Sequence, residues 1–367
     1  SQGASVSRFL LPSLAGFALL LAGCGGSSKL TSASLGAKSL PAINAPAYLP
    51  GPLDGASTPR KQALRRPLAV IVENFAPSSR PQTGLGAAST VIETLAEGGV
   101  TRFMAIYLEH AAPKVGPIRS TRMYFDTWAA AFHAILAHVG GNDDALAALW
   151  HLPKIYNIDE NRWEISLYNT GTPLFWRGTQ RAAPHNMYAS TKKLRAYATK
   201  HHEDWAYTNA YLLHKHQAPL KRRGHSGSIY ISFRNPLYLA DDPAYDVQYN
   251  YDRKSNTYAR IMGGAPHIDA ATGKQLTPSN VIVMKTGAAT ADPAAGPTPQ
   301  SILIPVLGSG KAIYFRDGKV EYGRWHQANI NAPLRFTDNH GHQVAFNPGQ
   351  SWIEVVPAGS PVSWHFR

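Results

Sequence analysis

The spacing of apolar residues changes near the middle of this chain, and the change restricts the folds open to it. Before residue 214, apolar runs of buried-strand length, such as residues 67–74, alternate with helix-like stretches such as "MYFDTWAAAFHA". After residue 228, short alternating runs rich in β-branched and aromatic residues recur, and "RDGK" at 316–319 is a hairpin signal between two of them. The fold class predicted from this pattern is α+β (mixed α/β). In chain order we predict an N-terminal α/β domain over residues 67–213, a linker over residues 214–228 and a mostly β C-terminal domain over residues 229–367.

Composition supports a folded chain with a basic surface. Of its 367 residues, 44% are hydrophobic and 16% are charged, which is enough apolar material for two domains or one large one. The formal charge is +13. A basic surface attracts nucleic acid, phospholipid headgroups, anionic envelope polymers or acidic proteins, and charge alone does not choose among these partners.

The first 66 residues have the order of parts found in an exported lipoprotein. Arg8 precedes an apolar run over residues 9–22, and Leu-Ala-Gly then leads into Cys24, the only cysteine of the chain. We predict a lipoprotein signal peptide over residues 1–23, lipidation at Cys24, and a flexible tether rich in Gly, Ser, Ala and Pro over residues 24–66. The alternative is a short buried helix with an incidental cysteine.

This prediction places the folded part outside the cytoplasm, anchored to the cell membrane by its lipid. The expected partners are therefore the membrane itself and an anionic envelope polymer, a phosphorylated lipid or an envelope protein, with no nucleic acid. One cysteine leaves no disulfide. The histidine pairs at 214–216 and 340–342 have no companion ligands at characteristic spacing, so we expect no metal and no cofactor.

Several stretches together resemble one family. In the first half they are "RPQTGLGAASTVIETLAEGGVTRFMAIY", "GPIRSTRMYF", "HVGGNDDA" and "APHNMY"; in the second half they include "YNYDRKSNTYARIMGG", "HIDAATGKQL" and "NPGQSWIEVVP". Their order and spacing resemble the YerB family of bacterial lipoproteins, which has an N-terminal domain of unknown function and a C-terminal companion domain. The resemblance implies a membrane-tethered, extracytoplasmic protein, and it implies no catalytic residues.

The stretch "VGPIRSTRMYFD" is the first candidate site. Arg119, Ser120 and Arg122 precede a helix-like run, and Arg102 lies on a neighbouring predicted strand. If the helix begins near Ser120, its free N–H groups and the planar guanidinium groups would together bind an anion. The alternative is structural, because carboxylates nearby in sequence, at positions 93, 97 and 126, could neutralise the arginines inside the fold.

A second group of candidates contains histidine. In "RAAPHN", Arg181, His185 and Asn186 could supply an acid/base and an orienting group, or His185 could simply bond a backbone carbonyl. His138 sits near the predicted carboxyl end of a central strand, where ligand crevices of open α/β sheets lie, although a satisfied core histidine is the alternative.

Three functions remain open from the sequence. The first is a tethered protein that binds an anionic envelope ligand in a basic cleft of the N-terminal domain. The second is an enzyme acting on cell-wall or phosphorylated substrates, with arginine clamps and a histidine acid/base. The third is a structural envelope adapter.

Overall fold

A ten-stranded mixed sheet forms the centre of the protein. The computed structural model describes residues 45–152, 154–166, 173–205, 211–233, 242–287, 289–291 and 302–367. The strands of the central sheet, in chain order, are β3 Leu68–Glu73, β4 Thr90–Leu95, β5 Thr101–Tyr107, β6 Ile135–His138, β7 Tyr156–Asp159, β17 Asn280–Lys285, β20 Gly308–Arg316, β21 Lys319–Gln327, β22 Arg335–Asp338 and β24 Ser351–Val356. Their order across the sheet is β22-β21-β20-β17-β24-β4-β5-β3-β6-β7.

The remaining strands form smaller sheets. Five of them make an antiparallel sheet in the order β14-β13-β12-β11-β25, and the others pair two by two. These strands are β1 Tyr48–Pro50, β2 Ser57–Pro59, β8 Phe175–Arg177, β9 Met187–Ala189, β10 Leu213–His214, β11 Gly227–Ile231, β12 Val247–Asp252, β13 Thr257–Met262, β14 Ala265–Pro266, β15 Ile268–Asp269, β16 Lys274–Gln275, β18 Thr290–Ala291, β19 Ile302–Leu303, β23 Ala345–Phe346 and β25 Val362–Phe366.

Burial along the strands explains their two kinds of sequence pattern. Every residue of β3, β4, β5 and β24 is buried, as expected for continuous apolar runs covered on both faces of a sheet. In β12 and β13 buried and partly exposed residues alternate, because only one face of the five-stranded sheet packs inward. The Asp-Gly signal is confirmed as a turn, since β20 and β21 pair antiparallel with Arg316 opposite Lys319.

The described residues contain four α-helices. They are α1 Arg60–Ala63, α2 Met123–Ala131, α3 Asp143–Leu149 and α4 Thr191–Lys200. α2 buries all but its first residue, including Trp128, whereas α4 buries only three of its ten residues. Strands thus dominate the described part, as the mostly β prediction for the C-terminal half required, and the N-terminal half is richer in strands than we predicted.

The predicted division into two domains with a linker does not match the way the sheet is built. β24 lies parallel between β17 and β4, so the central sheet continues through both halves of the chain. The predicted linker at 214–228 is packed: β10 pairs with β23, and the Lys215 ammonium donates to Asp317 at 2.7 Å. Residues from 46 onwards belong to one compact unit.

The predicted tether over residues 24–66 is wrong from residue 48 onwards. Residues 48–63 form β1, β2 and α1, and Leu53 and Arg66 are buried. The Arg66 guanidinium donates to the carbonyl of His133 at 2.8 Å, which fixes the end of this segment to the core. Loop-like composition misled the prediction, because small and proline residues also occur in packed irregular segments. The signal peptide, Cys24 and the tether up to residue 44 lie outside the described residues.

A fully buried charge cluster joins the two halves. The Arg260 guanidinium donates to Glu93, and its charge lies 3.6 Å from Glu354. Glu93 also accepts a hydrogen bond from Thr101 at 2.5 Å, and Glu354 accepts one from the Tyr249 hydroxyl. All three charged side chains have no solvent exposure. Burial, followed by the neighbouring charge of Glu93, raises the pKa of Glu354 well above its usual range, so Glu354 carries the proton of the pair.

Hydrogen bonds extend this cluster towards the first half of the chain. The Arg260 guanidinium donates to His267 Nδ1 at 2.6 Å, so the opposite nitrogen carries the hydrogen and donates to Gln82 Oε1 at 2.9 Å. The Gln82 amide donates in turn to Asn74, whose oxygen also accepts from Arg80. Burial, reinforced by the charge of Arg260, lowers the pKa of His267 and keeps the ring neutral.

Candidate functional site

Several candidate residues meet at one edge of the central sheet. β3, β4 and β6 run in the same direction, so their carboxyl ends share an edge with the start of β5. The loop that follows the Gly116-Pro117 turn crosses this edge, because Ile118 bridges to Val72 and the Arg119 amide donates to the carbonyl of Ile71. We call the side chains of Glu73, Glu97, Arg102, Arg119, Arg122 and His185 at this edge the arginine cluster.

Glu73 holds two of the candidate side chains. Its Oε1 lies 3.0 Å from Arg119 Nε, and its Oε2 lies 3.0 Å from His185 Nδ1. The Arg119 Nε–H is not aimed at that oxygen, so the contact is ionic and this donor has no hydrogen-bond acceptor among the described residues. The His185 ring stacks on Phe75 with ring centroids 5.2 Å apart, and 42% of Phe75 is exposed. Arg119 and His185 are partly open to solvent at this point.

Arg122 is paired with Glu97. Its Nε and one terminal nitrogen each donate to a different oxygen of the Glu97 carboxylate at 2.5 Å, a bidentate geometry. Burial raises the pKa of Glu97, but the pairing with Arg122 outweighs it and leaves that pKa below its ordinary value. α2 begins at Met123, the first residue of the predicted helix-like stretch, with Arg122 as its N-cap residue; the start near Ser120 that a helix-terminus anion site would need is not present.

Arg102 is the most buried guanidinium of the cluster. One terminal nitrogen donates to the carbonyl of Ser120 at 2.9 Å, while its Nε has no acceptor among the described residues. Only 7% of the residue is exposed. Burial, and then the nearby charge of Arg122, lower the pKa of Arg102 to about 10. The cluster therefore contains three guanidinium groups against two carboxylates, and two of its buried donor atoms make no hydrogen bond among the described residues.

Asp126 and Glu93 do not neutralise these arginines by direct pairing, although the sequence made both candidates for that role. Glu93 belongs to the Arg260 cluster, and Asp126 accepts a hydrogen bond from the Thr121 hydroxyl at 2.5 Å. Burial raises the pKa of Asp126 well above its ordinary value, which weakens this carboxyl as a charged partner for the arginines. Of the predicted acidic partners, only Glu97 pairs with an arginine of this loop.

His138 lies at the carboxyl end of β6, as predicted, but β6 is next to the sheet's outer strand and is not central. The ring is fully buried, with Nδ1 2.8 Å from the carbonyl of Gly140 and Nε2 2.7 Å from Asn157 Oδ1. Both nitrogens are used, which is the arrangement of a satisfied core histidine. The structure thus gives His138 a positioning role for the 139–141 turn that pairs with Thr121.

Arg181 and Asn186 support the loop that carries His185. The Arg181 guanidinium donates to the carbonyls of Ser79 and Pro81, and the Asn186 amide donates to the carbonyls of Gly178 and Arg181. Side chains complete these contacts, because Arg181 also donates to the Tyr188 hydroxyl and the Asn186 oxygen accepts from Arg177. We assign these two residues to the scaffold of the candidate site and His185 to the site itself.

Sequence reasoning did not select Glu73 and Phe75. Glu73 follows the apolar run "AVIV" directly, and Phe75 comes two residues later. A carboxylate at the end of an apolar strand was the sequence signal that could have identified Glu73 as a site residue. Cavities of about 350, 480, 530 and 630 Å³ lie in the described part, and none of these four is lined by the arginine cluster. The cluster is therefore a partly open edge rather than a part of these hollows.

Neither a metal centre nor a membrane span is found in the described part of the chain. No group of three or more His, Cys, Asp or Glu residues there is arranged to hold a metal ion. Likewise, no helix within the described ranges has the length and apolarity needed to cross a bilayer.

The fold defines a mostly β protein built around one mixed central sheet, and the family that it matches has no established function. Residues 53–204 match the N-terminal domain, and residues 238–353 the C-terminal domain, of a protein of unknown function (DUF3048). The chain belongs to this YerB-like lipoprotein family, which confirms the resemblance seen in the sequence. The two matched segments fall on either side of residues 214–228.

Two comparisons extend the likeness over most of the chain. A Bacillus subtilis (strain 168) protein that is named as the lipoprotein YerB is 32% identical over 311 residues, covering 84% of this chain and 86% of its own length. The crystal structure of YerB from Bacillus subtilis superimposes with a TM-score of 0.72 at 29% identity, covering 86% of this chain and 99% of the solved one.

Proposed function

We propose that this protein is a membrane-tethered, extracytoplasmic lipoprotein that binds an anionic envelope ligand at the arginine cluster. The observation that carries the proposal is the incomplete hydrogen bonding of two guanidinium groups: Nε of Arg102 has no hydrogen-bond acceptor among the described residues, and Nε of Arg119 has only its ionic contact with Glu73. A buried donor left without a partner costs roughly 1–3 kcal/mol, so an anion that satisfies such donors gains that free energy on binding.

The charge balance of the cluster supports an anion over a cation. Glu97 pairs with Arg122, and Glu73 contacts both Arg119 and His185. The three guanidinium groups of the cluster therefore exceed its two carboxylates by one positive charge. The ligand class is one with several oxygen acceptors, a phosphate or a carboxylate, because the guanidinium fork matches both. Phe75 offers an exposed flat ring beside the cluster, which suits the apolar face of a sugar.

The tether is the second part of the proposal. Cys24 follows an apolar run and small residues, and it would carry the lipid after cleavage of residues 1–23. A relative that covers most of the chain is named as a lipoprotein, which supports the same anchoring. The arginine cluster would then meet envelope polymers and phosphorylated lipids rather than cytoplasmic nucleotides.

Calorimetric titration with inorganic phosphate and with poly(glycerol phosphate) tests the anion site. We expect Arg119→Gln to weaken binding about 10- to 100-fold, since a hydrogen bond to a charged group contributes roughly 1.5–3 kcal/mol. Arg316→Gln is the matched control, because this arginine is paired with Glu321 in the β20–β21 hairpin and its loss changes the net charge equally.

Two outcomes would refute the anion site. The first is no heat of binding with either probe at low salt, where surface electrostatics are strongest. The second is an equal loss of affinity in Arg119→Gln and Arg316→Gln, which would show that only net charge matters. Melting temperatures of both variants check that the fold is intact.

The contact between Glu73 and His185 favours one alternative, an enzyme acting on cell-wall or phosphorylated substrates. A carboxylate on Nδ1 orients an imidazole so that its other nitrogen can act as acid or base, and arginines can clamp a phosphate beside it. Release of soluble products from isolated envelope fractions, abolished in His185→Gln with phosphate binding retained, would favour the enzyme. No product release from wild type would leave binding as the function.

A further inference from the structure

α4 is a basic amphipathic helix. It contains Lys192, Lys193, Arg195 and Lys200 and no acidic residue. Thr191, Leu194 and Ala198 are buried against the core, whereas the three lysines are exposed. A helix with one buried stripe and an exposed basic face is typical of a surface that meets an anionic partner.

The three tryptophans between residues 150 and 176 precede this helix in the chain, and two of them are largely exposed. Trp150 is 76% exposed and Trp163 is 72% exposed. The Arg162 guanidinium lies 5.7 Å from the Trp150 ring, and the Lys193 ammonium lies 5.7 Å from the Trp176 ring. Trp150 and Trp176 thus each lie beside a cation, and the cation beside Trp176 belongs to α4.

A shallow hollow connects the tryptophan-bearing loops to the helix. This cavity of about 480 Å³ is lined by Ile165 and Leu174 on one side and by Lys193, Tyr197 and Lys200 of α4 on the other. Its lining is largely apolar, and its charged residues are Glu164 and the two lysines of α4.

The other flank of α4 contacts the segment through which the chain enters the folded unit. The Arg195 guanidinium donates to the carbonyl of Arg66 at 3.0 Å, and Gln62 and Arg65 share a cavity with Lys192. About 20 residues separate Cys24 from this unit, and they reach at most about 70 Å when fully extended. A lipid at Cys24 would therefore keep α4 within reach of the bilayer.

We propose that α4, Trp150, Trp163 and Trp176 form a membrane-facing surface that lies on the anionic phospholipids of the bilayer to which the protein is tethered. The proposal rests on the proposed lipid anchor, and it is independent of the arginine cluster. Tryptophan rings settle at the headgroup level because one end of the ring is apolar and the other is polar. Lysines near the surface gain about five-fold in binding each from the negative surface potential. The docked surface would fix the orientation of the folded unit.

Fluorescence quenching tests this surface on the mature, lipidated chain in vesicles that contain brominated phosphatidylglycerol. Bromine atoms quench only tryptophans that enter the lipid, so we expect strong quenching that falls by at least half in Trp150→Phe/Trp163→Phe. Trp364→Phe, on β25 of the five-stranded sheet, is the matched control and should keep the wild-type quenching.

Charge is tested with a triple variant, Lys192→Gln/Lys193→Gln/Lys200→Gln. It should reduce the ratio of docked to undocked protein about five-fold per lysine. The control triple variant Lys274→Gln/Lys311→Gln/Lys319→Gln removes three exposed lysines elsewhere on the protein. It should leave the ratio of docked to undocked protein unchanged. Near-ultraviolet circular dichroism checks the fold of each variant.

Three results would overturn the proposal. They are quenching that is unchanged in the tryptophan and lysine variants, quenching that is equal with brominated phosphatidylcholine as the only lipid, and quenching that disappears when soluble wall glycan strands are added, which would make a glycan the occupant. The mass of the purified chain reports whether Cys24 carries a lipid, and Arg119→Gln should leave quenching intact. Failure of the anchor or of the anion site is therefore distinguishable from failure of this surface.

Discussion

Two buried glutamates contact the same arginine, and we expect the same substitution to have different effects on them. Glu93 accepts hydrogen bonds from Arg260 and Thr101, so it is the charged partner of the guanidinium. Glu354 is 3.6 Å from that charge, and burial raises its pKa well above the usual range. Glu93→Gln therefore removes the counter-charge of a fully buried arginine, whereas Glu354→Gln replaces a protonated carboxyl with a neutral group of similar shape.

The magnitudes follow from this assignment. Breaking a buried ion pair on one side costs about 3–5 kcal/mol, while exchanging one neutral hydrogen-bonding group for another costs about 1 kcal/mol or less. For a unit of about 320 residues, the unfolding entropy near 60 °C is about 0.7 kcal/mol/K. Glu93→Gln should then lower the melting temperature by about 4–7 °C, and Glu354→Gln by less than about 2 °C.

The pH dependence provides an independent check on the same pair. Because the folded pKa of Glu354 is raised, the folded state keeps a proton that the unfolded chain releases above pH about 4.5. Wild type therefore loses stability as pH rises, by up to about 1.4 kcal/mol per pH unit while the folded pKa exceeds the pH. Glu354→Gln has no such proton, so its stability relative to wild type should improve between pH 5 and pH 7.

Scanning calorimetry at pH 5, 6 and 7 measures both effects. Equal losses of melting temperature in the two variants would contradict the assignment of the charge to Glu93. A larger loss in Glu354→Gln, or a stability difference between wild type and Glu354→Gln that does not change with pH, would refute the protonation of Glu354. Denaturant unfolding at each pH provides the free energies if heating is irreversible.

Two further perturbations concern other buried or half-buried carboxylates. Asp269 accepts hydrogen bonds from the backbone amides of Gly84 and Gly86, which lie in the other half of the chain. Asp269→Ala should therefore lower the free energy of unfolding in urea by about 2–4 kcal/mol. An unchanged urea midpoint would show that these hydrogen bonds do not stabilise the fold. His110 donates to Asp54 at 3.0 Å, and this hydrogen bond outweighs burial and raises the pKa of His110. The resulting stability is present below pH 6.5 and is lost as pH rises through the folded pKa, so His110→Gln should reduce this pH dependence, and an unaltered pH profile of the melting temperature would argue against it.

The predicted strands show how much of the secondary structure can be predicted from the spacing of apolar residues and from turn residues. Residues 67–74, 100–109 and 316–319 correspond to β3, β5 and the β20–β21 turn, because buried runs, alternation and Asp-Gly turns depend on local residue chemistry. The helix-like stretch "MYFDTWAAAFHA" was also expected, and α2 begins at its first residue, Met123, rather than near Ser120. Tertiary contacts also influence where a helix begins. Here the bridge between Thr121 and Gly141 keeps the residues before α2 extended.

Charge pairing could not be read from sequence distance. Glu93 and Glu97 are both close to Arg102 along the chain, yet Glu97 faces Arg122 and Glu93 faces Arg260, which is 167 residues away. Alternate positions of a strand point to opposite faces, and the turn after β4 redirects the chain before Glu97. Which face then meets which arginine is decided by the packing of the second half against the first.

The sequence by itself determined the family, the order of buried and alternating strands, the basic charge and the candidate role of Arg102, Arg119 and Arg122, because these properties belong to composition and local pattern. Only the tertiary structure decided that both halves share one sheet, that His138 is satisfied in the core, and that Glu73 and His185 join the arginine cluster. The physical reason is that strand order, burial and unused hydrogen-bond donors arise from contacts between segments far apart in the chain. The hollow between α4 and the residues Ile165 and Leu174 likewise forms only when that segment folds beside the helix.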